Sequence, residues 1–175
     1  NFERGSHVFV ADVATGKSRQ VTPAKSALLA TTVTSIDWTG DGTSIAAVLV
    51  PDGRGPEPVE PAIAAGPRVR LWTEGAKSPQ RNYASLLDEP FDQTLLEYHV
   101  TGQLTVIDVK TRAARKIGVP AMITAVDPSP DGKYLRVTTM RKPFSYMVQI
   151  GSFGTVEEIW DANGKVLAEV MKRPL

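Results

Sequence analysis

The stretch that most limits what this chain can fold into is residues 123–146, ITAVDPSPDGKYLRVTTMRKPFSY. At its centre Pro128, Ser129, Pro130, Asp131 and Gly132 supply what a tight reversal needs, because Pro presets φ and Gly accepts φ > 0. Near-alternating apolar residues lie on both sides, Ile123 and Ala125 before the turn and Leu135 and Val137 after it, so the stretch predicts a β-hairpin. Residues 35–50 repeat the layout around Thr39-Gly40-Asp41-Gly42. A unit that returns along a chain signals a repeat architecture.

A second hairpin type alternates with the first. Residues 7–12, HVFVAD, alternate, end at Thr15-Gly16-Lys17 and return over residues 19–22, with Val8, Val10 and Val13 expected on the buried side. Residues 104–112 returning through 114–117, and residues 156–165 returning through 166–170, are two more copies. In each, an Asp (Asp12, Asp108, Asp161) closes the outgoing strand, since its carboxylate can accept hydrogen bonds from the backbone ahead of it and fix the reversal.

The spacing of these aspartates divides the chain. Asp12 to Asp41 and Asp131 to Asp161 are nearly equal intervals, whereas Asp41 to Asp108 is more than twice as long. The surplus must fall between Leu49 and Thr101, where the composition changes. Residues 51–67 are rich in Pro and Gly and lack apolar periodicity, which predicts a long irregular excursion. Residues 69–72 fit a short strand, and residues 85–88 and 91–97 fit one or two helical turns with Asp92 as a cap and Leu95, Leu96 and Tyr98 on an apolar side. An extra strand is expected at residues 146–150. No long amphipathic helix is legible, which argues against βαβ units.

Short antiparallel strands taken four at a time, every ~40–50 residues, are the signature of β-propeller blades. The Asp-Gly hairpin supplies strands a and b of a blade and the Asp-turn hairpin strands c and d. The expected fold class is therefore all-β, with about two and a half four-stranded antiparallel blades and a mostly irregular insertion. Residues 1–24 form a half blade, residues 33–119 a blade with its insertion at 51–102, and residues 120–175 a third. Propellers close with at least four blades, so self-association through open sheet edges is a further expectation.

Composition removes several function classes. Twenty basic and 19 acidic side chains leave a formal charge of +1, which gives no field to collect nucleic acid or an anionic membrane surface. With no Cys there is no disulfide and no thiolate chemistry, and no metal-ligand spacing or cofactor motif stands out, so neither metal nor cofactor is expected. No apolar run approaches the ~20 residues of a membrane helix. Asn1 is not a natural start, and the chain reads as opening inside a larger protein.

Several stretches carry a family resemblance. Arg81-Asn82-Tyr83 with Leu86-Leu87, Glu97-Tyr98 and Gln103-Leu104, then residues 120–135, Arg141 with Pro143-Phe144-Ser145-Tyr146, and residues 156–161, VEEIWD, resemble the propeller of the prolyl oligopeptidase clan of serine peptidases. Within that clan the similarity is to the glutamyl endopeptidase-like branch. It covers residues 67–175 well and residues 1–50 only as generic blades.

The resemblance implies a parent whose catalytic Ser, Asp and His sit in a C-terminal α/β-hydrolase domain, the Ser on a GxSxG elbow. That domain and a peptide substrate are the implied partners; the compartment stays open, although relatives of this kind are often periplasmic or secreted. No GxSxG occurs here; Gly151-Ser152-Phe153-Gly154 comes nearest and lacks the spacing. The chain is thus expected to be non-catalytic, with no catalytic residues of its own, and to gate peptide entry. The rival readings are a TolB-like propeller that binds a protein partner, and a self-sufficient enzyme, for which no constellation is evident.

Individual residues are weighed on the same terms. His7 and His99, the only histidines, lie in or beside strands and read as structural. Asp37 and Asp127 recur at matching places before the Asp-Gly turns, which suits turn or strand-end hydrogen bonding better than acid-base work. Arg141 and Tyr146 flank an inter-strand connection, where recognition groups are commonly placed, and an Arg fork suits a carboxylate, but an ion pair with a neighbouring loop or with the implied hydrolase domain is the favoured reading. Arg81, Tyr83 and Tyr98 could line the same mouth, against the plainer reading that a Tyr buries its ring and bonds its hydroxyl. Trp38, Trp72 and Trp160 are assigned to packing between blades.

Overall fold

The computed structural model describes residues 5–29, 36–61 and 87–175. Among the described residues ten strands and one α-helix follow in order: β1 (Phe9–Ala11), β2 (Ser18–Gln20), β3 (Asp37–Trp38), β4 (Ser44–Leu49), α1 (Pro90–Val100), β5 (Gln103–Asp108), β6 (Ala114–Lys116), β7 (Ile123–Pro128), β8 (Tyr134–Met140), β9 (Thr155–Asp161) and β10 (Val166–Arg173). They build a two-stranded sheet, β1-β2, and two four-stranded sheets, β3-β4-β5-β6 and β7-β8-β9-β10, with every pairing antiparallel between consecutive strands.

The turns that define the repeat share one wiring. Asp41 accepts from the Thr39 hydroxyl (2.6 Å) and the Thr43 N–H (3.0 Å), while Ser44 N–H donates back to the Thr39 hydroxyl oxygen (3.1 Å). In the other copy Asp131 accepts from the Ser129 hydroxyl (2.6 Å) and Lys133 N–H (3.1 Å), and Tyr134 N–H donates to the Ser129 oxygen (3.0 Å). Gly42 and Gly132 hold φ of 67° and 69°, the left-handed region that a side chain disfavours. The reversal is therefore closed by groups within the turn itself. The two turns also meet across the sheets. A Cβ on Gly40 would fall 1.8 Å from the Pro130 carbonyl oxygen, so only glycine lets the two backbones come this close.

The core lies between sheets. On β4 the pleat sends Ala46 and Val48 to one face and Ile45, Ala47 and Leu49 to the other, and all five are buried. The first pair joins Leu104, Ile117, Ile123, Val126, Leu135, Val137 and Trp160 between the two four-stranded sheets. The second set packs with Val8, Val21 and Ile107 under β1-β2. A strand covered on both faces explains why residues 45–49 read as a continuous apolar run rather than an alternation.

Three local expectations need correction. Val13 is fully exposed, because the strand ends at Ala11 and the chain has already entered the turn capped by Asp12. Residues 146–150 form no strand; the Ser145 hydroxyl oxygen accepts from Met147 N–H (3.0 Å), bends the chain, and leads into a single 3-10 turn at Ile150–Ser152. The helix in the insertion is longer than one or two turns, running eleven residues with Pro90 in its first turn. Asp92 acts from inside that first turn, where its carboxylate accepts from Glu89 N–H (2.9 Å) and Asp88 N–H (2.6 Å). The strand expected at residues 69–72, with Trp72, lies outside the described residues.

Candidate functional site

In a four-stranded meander the first and third turns lie at one end of the sheet and the middle crossing at the other. Residues 50–102 are the middle crossing of the β3–β6 sheet, and residues 141–154 are that of the β7–β10 sheet. The two crossings are joined to each other. Phe144 and Phe153 stack with ring centroids 5.4 Å apart and, with Met140, form a small buried cluster. Leu87, Leu96 and Met122 pack on it, so α1 is seated on the neighbouring sheet's crossing. At the surface of this contact the Lys142 ammonium donates to the Glu97 carboxylate. The Lys142–Pro143 peptide is cis.

This joint brings together two of the residues singled out in the sequence, because Tyr98 follows Glu97 and Arg141 precedes Lys142. The Tyr98 hydroxyl donates to the Gly55 carbonyl (2.9 Å), and the Arg54 guanidinium lies 4.7 Å from the centre of its ring. Arg54 also donates to the Thr101 carbonyl (2.7 Å). Tyr98 therefore fastens residues 54 and 55 to α1. Arg141 stands half exposed, one guanidinium nitrogen 3.6 Å from Glu158, whose side chain is only 12% exposed and also accepts from the Trp160 indole N–H (3.0 Å). The chain Trp160–Glu158–Arg141 holds the guanidinium at the rim with part of its fork turned to solvent. Tyr146 is half-buried in the bend after Ser145. Arg81 and Tyr83 lie outside the described residues.

Other ionisable groups among the described residues bond within the scaffold. His7 Nδ1 is 3.1 Å from the hydroxyl of buried Thr22, which also accepts from Val8 N–H. His99 lies 3.7 Å from Glu57 and packs edge-on to Tyr98. Asp127 takes a two-pronged bond from Arg136 (3.0 and 2.9 Å), its partner across β7 and β8 in place of a turn contact. Asp12, Asp108 and Asp161 each accept turn N–H groups, from Thr15, Thr111, and both Asn163 and Lys165. Donors aimed at a carboxylate favour its charged form. The carboxyls of Asp12, Asp108, Asp131 and Asp161 are accordingly held below their ordinary range, and the Thr39 hydroxyl with the Thr43 amide and hydroxyl lowers Asp41 to about 2. The sequence places Thr39 and Ser129 in the turns without revealing that their hydroxyls complete them; their shared position two residues before Asp41 and Asp131 is the available signal.

Ser152 sits in the 3-10 turn rather than on a strand-turn-helix elbow, and Arg173 donates to the Gly151 and Phe153 carbonyls on either side of it (3.0 and 3.2 Å).

Successive four-stranded meanders stacked face to face, with neighbouring inner strands β3 and β7 adjacent, define a portion of a β-propeller. The chain is similar to two proteins named probable glutamyl endopeptidase, chloroplastic. It is 30% identical over 168 residues to the one from Oryza sativa subsp. japonica, covering 96% of this chain and 18% of that protein. To the one from Arabidopsis thaliana it is 30% identical over 168 residues, covering 96% and 17%. Among solved structures, acylaminoacyl peptidase from Pyrococcus horikoshii superposes on 95% of this chain and 20% of its own, with 14% identity and a TM-score of 0.48. No protein-family model matches the chain. The chain spans less than a fifth of the length of the relatives it matches. Over nearly its whole length the chain is thus similar to a part of proteins named glutamyl endopeptidase, and its own strand order is that of a β-propeller portion.

Proposed function

We propose that this chain is the non-catalytic propeller part of a serine oligopeptidase, that it covers the active site of a separate α/β-hydrolase domain, and that it limits entry to short or unfolded peptides. The observation that carries this reading is the joint between the two middle crossings. A propeller that screens substrates needs a stiff rim, and here the rim is closed by the Phe144–Phe153 cluster and the Lys142–Glu97 pair, with Arg141 held beside it by Glu158. The similarity to proteins named glutamyl endopeptidase supports a peptide with an acidic side chain as the substrate, and a half-exposed guanidinium is chemically suited to it.

The test uses the parent polypeptide and this chain side by side. Chromogenic glutamyl peptides are expected to be cut by the parent, whose sequence after residue 175 should carry GxSxG followed by Asp and His, and not by this chain alone. Arg141→Ala in the parent is expected to raise KM several-fold for the acidic peptide and to leave a neutral one unchanged. Turnover by the chain alone after repurification would overturn the non-catalytic reading. A parent with neither GxSxG nor turnover would leave a TolB-like interaction propeller in its place.

A further inference from the structure

The outer strands of successive sheets share an arginine in the same place. Arg19 on β2 stands opposite Val10 on β1, and Arg115 on β6 stands opposite Val106 on β5. Each follows its turn aspartate by the same interval, from Asp12 to Arg19 and from Asp108 to Arg115. Both side chains reach out of their own hairpin. Arg19 donates to the Lys110 carbonyl (3.5 Å), and Arg115 to the Ala162 carbonyl. Lys110 and Ala162 lie just past Asp108 and Asp161, in the turn between the last two strands of the following sheet. The hairpin itself does not need the arginine: in the third copy the slot opposite Ile159 holds Ala168, and β9 and β10 pair all the same. Around Arg115 the sheets approach closely. Gly118 N–H donates to the Asn163 carbonyl (3.1 Å), and a Cβ on Gly164 would fall 2.2 Å from the Gly118 nitrogen. The two backbones meet there with no side chain between them, so hydrogen bonds set the register of the contact.

We propose that Arg19 and Arg115 are clasps between blades: each bonds a turn carbonyl of the next sheet and keeps the outer edge of the seam from opening, while the apolar core holds the inner part. A guanidinium suits the task, being always charged and carried on a long stem that can lie along the strand it spans. Both arginines are exposed, so a clasp can let go without uncovering the core, and its release is a local opening and not unfolding. The proposal makes no use of the peptidase reading.

The test is native-state hydrogen exchange, read by amide NMR on the isotopically labelled protein. Gly118 N–H bonds across the seam, whereas Ile117 N–H beside it bonds within its own sheet, to the Leu104 carbonyl (2.9 Å). Arg115→Met keeps most of the stem and removes the donors. It is expected to speed exchange at Gly118 roughly tenfold, the lower end of what a bond to a charged group is worth, to shift the Asn163 amide that follows the Ala162 carbonyl, and to leave Ile117 exchanging as before. Arg19→Met is expected to shift the Thr111 amide, which follows the Lys110 carbonyl, and to leave Gly118 unchanged. Arg115→Lys, which restores a charged donor, should recover part of the protection. Unchanged exchange at Gly118 in Arg115→Met, or Gly118 and Ile117 faster by the same factor, would overturn the clasp at that seam; a Thr111 amide unmoved in Arg19→Met would overturn it at the other.

Discussion

Lys142, on the crossing between β8 and β9, donates its ammonium proton to Glu97 on α1, forty-five positions earlier in the chain. The pair marks where α1 is fastened to the neighbouring sheet's crossing, but it contributes the smaller share of that fastening. Both side chains are about half exposed, and an exposed ion pair contributes ~0.2–1 kcal/mol. The buried stack beneath is worth more. Phe153 is 1% exposed, and Phe→Ala in such a site costs ~3–5 kcal/mol. Glu97→Gln should thus lower the free energy of urea unfolding by less than about 1 kcal/mol, and Phe153→Ala by several times as much. Equal effects would mean that charge, and not packing, holds α1 in place.

Arg112 occupies the place that Gly16 holds in the first hairpin. Each donates its N–H to the carbonyl of the turn aspartate four residues back at 2.8 Å, and each has positive φ, 63° and 67°. A left-handed conformation costs a residue with a side chain ~1–2 kcal/mol, part of which glycine gives back as unfolded-state freedom. Arg112→Gly should therefore stabilise the protein by about 0.5–1 kcal/mol in chemical denaturation. A destabilised variant would show that the arginine side chain makes up for its strained backbone.

The turn aspartates set the acid limit of the fold. Asp41 titrates at about 2 when folded and near 3.8 when not, so the stability it contributes is complete above 3.8 and is lost as pH falls through about 2. Asp12, Asp108, Asp131 and Asp161 are lowered too and act in the same direction. Thermal melts should fall steeply over that acid range. Asp41→Asn should lower the melting temperature at neutral pH and make the acid decline shallower, while an unchanged slope would remove Asp41 from the account.

How much of this was legible in the sequence follows from how local each signal is. The blades could be read because Asp41-Gly42 and Asp131-Gly132 close their own turns within a few residues, and because Asp12, Asp108 and Asp161 bond to the backbone just ahead. Helix α1 was read too short because the residues that seat it, Met140, Phe144 and Phe153, come far later in the chain. Val13 was misplaced by alternation carried one step past Asp12, where the turn had already begun. Residue type and connection single out Arg141 and Tyr98, but that Tyr98 bonds Gly55 and that Glu158 holds Arg141 depend on contacts distant in sequence.

The central claim is that a propeller rim screens what reaches a hydrolase domain elsewhere in the parent. The measurement that meets it most directly compares cleavage by the parent of one glutamyl sequence presented as a short free peptide and embedded in a folded protein. Screening predicts efficient cleavage of the free peptide and almost none of the embedded one, with cleavage restored when the carrier is unfolded. Comparable cleavage of the free and the folded forms would contradict it.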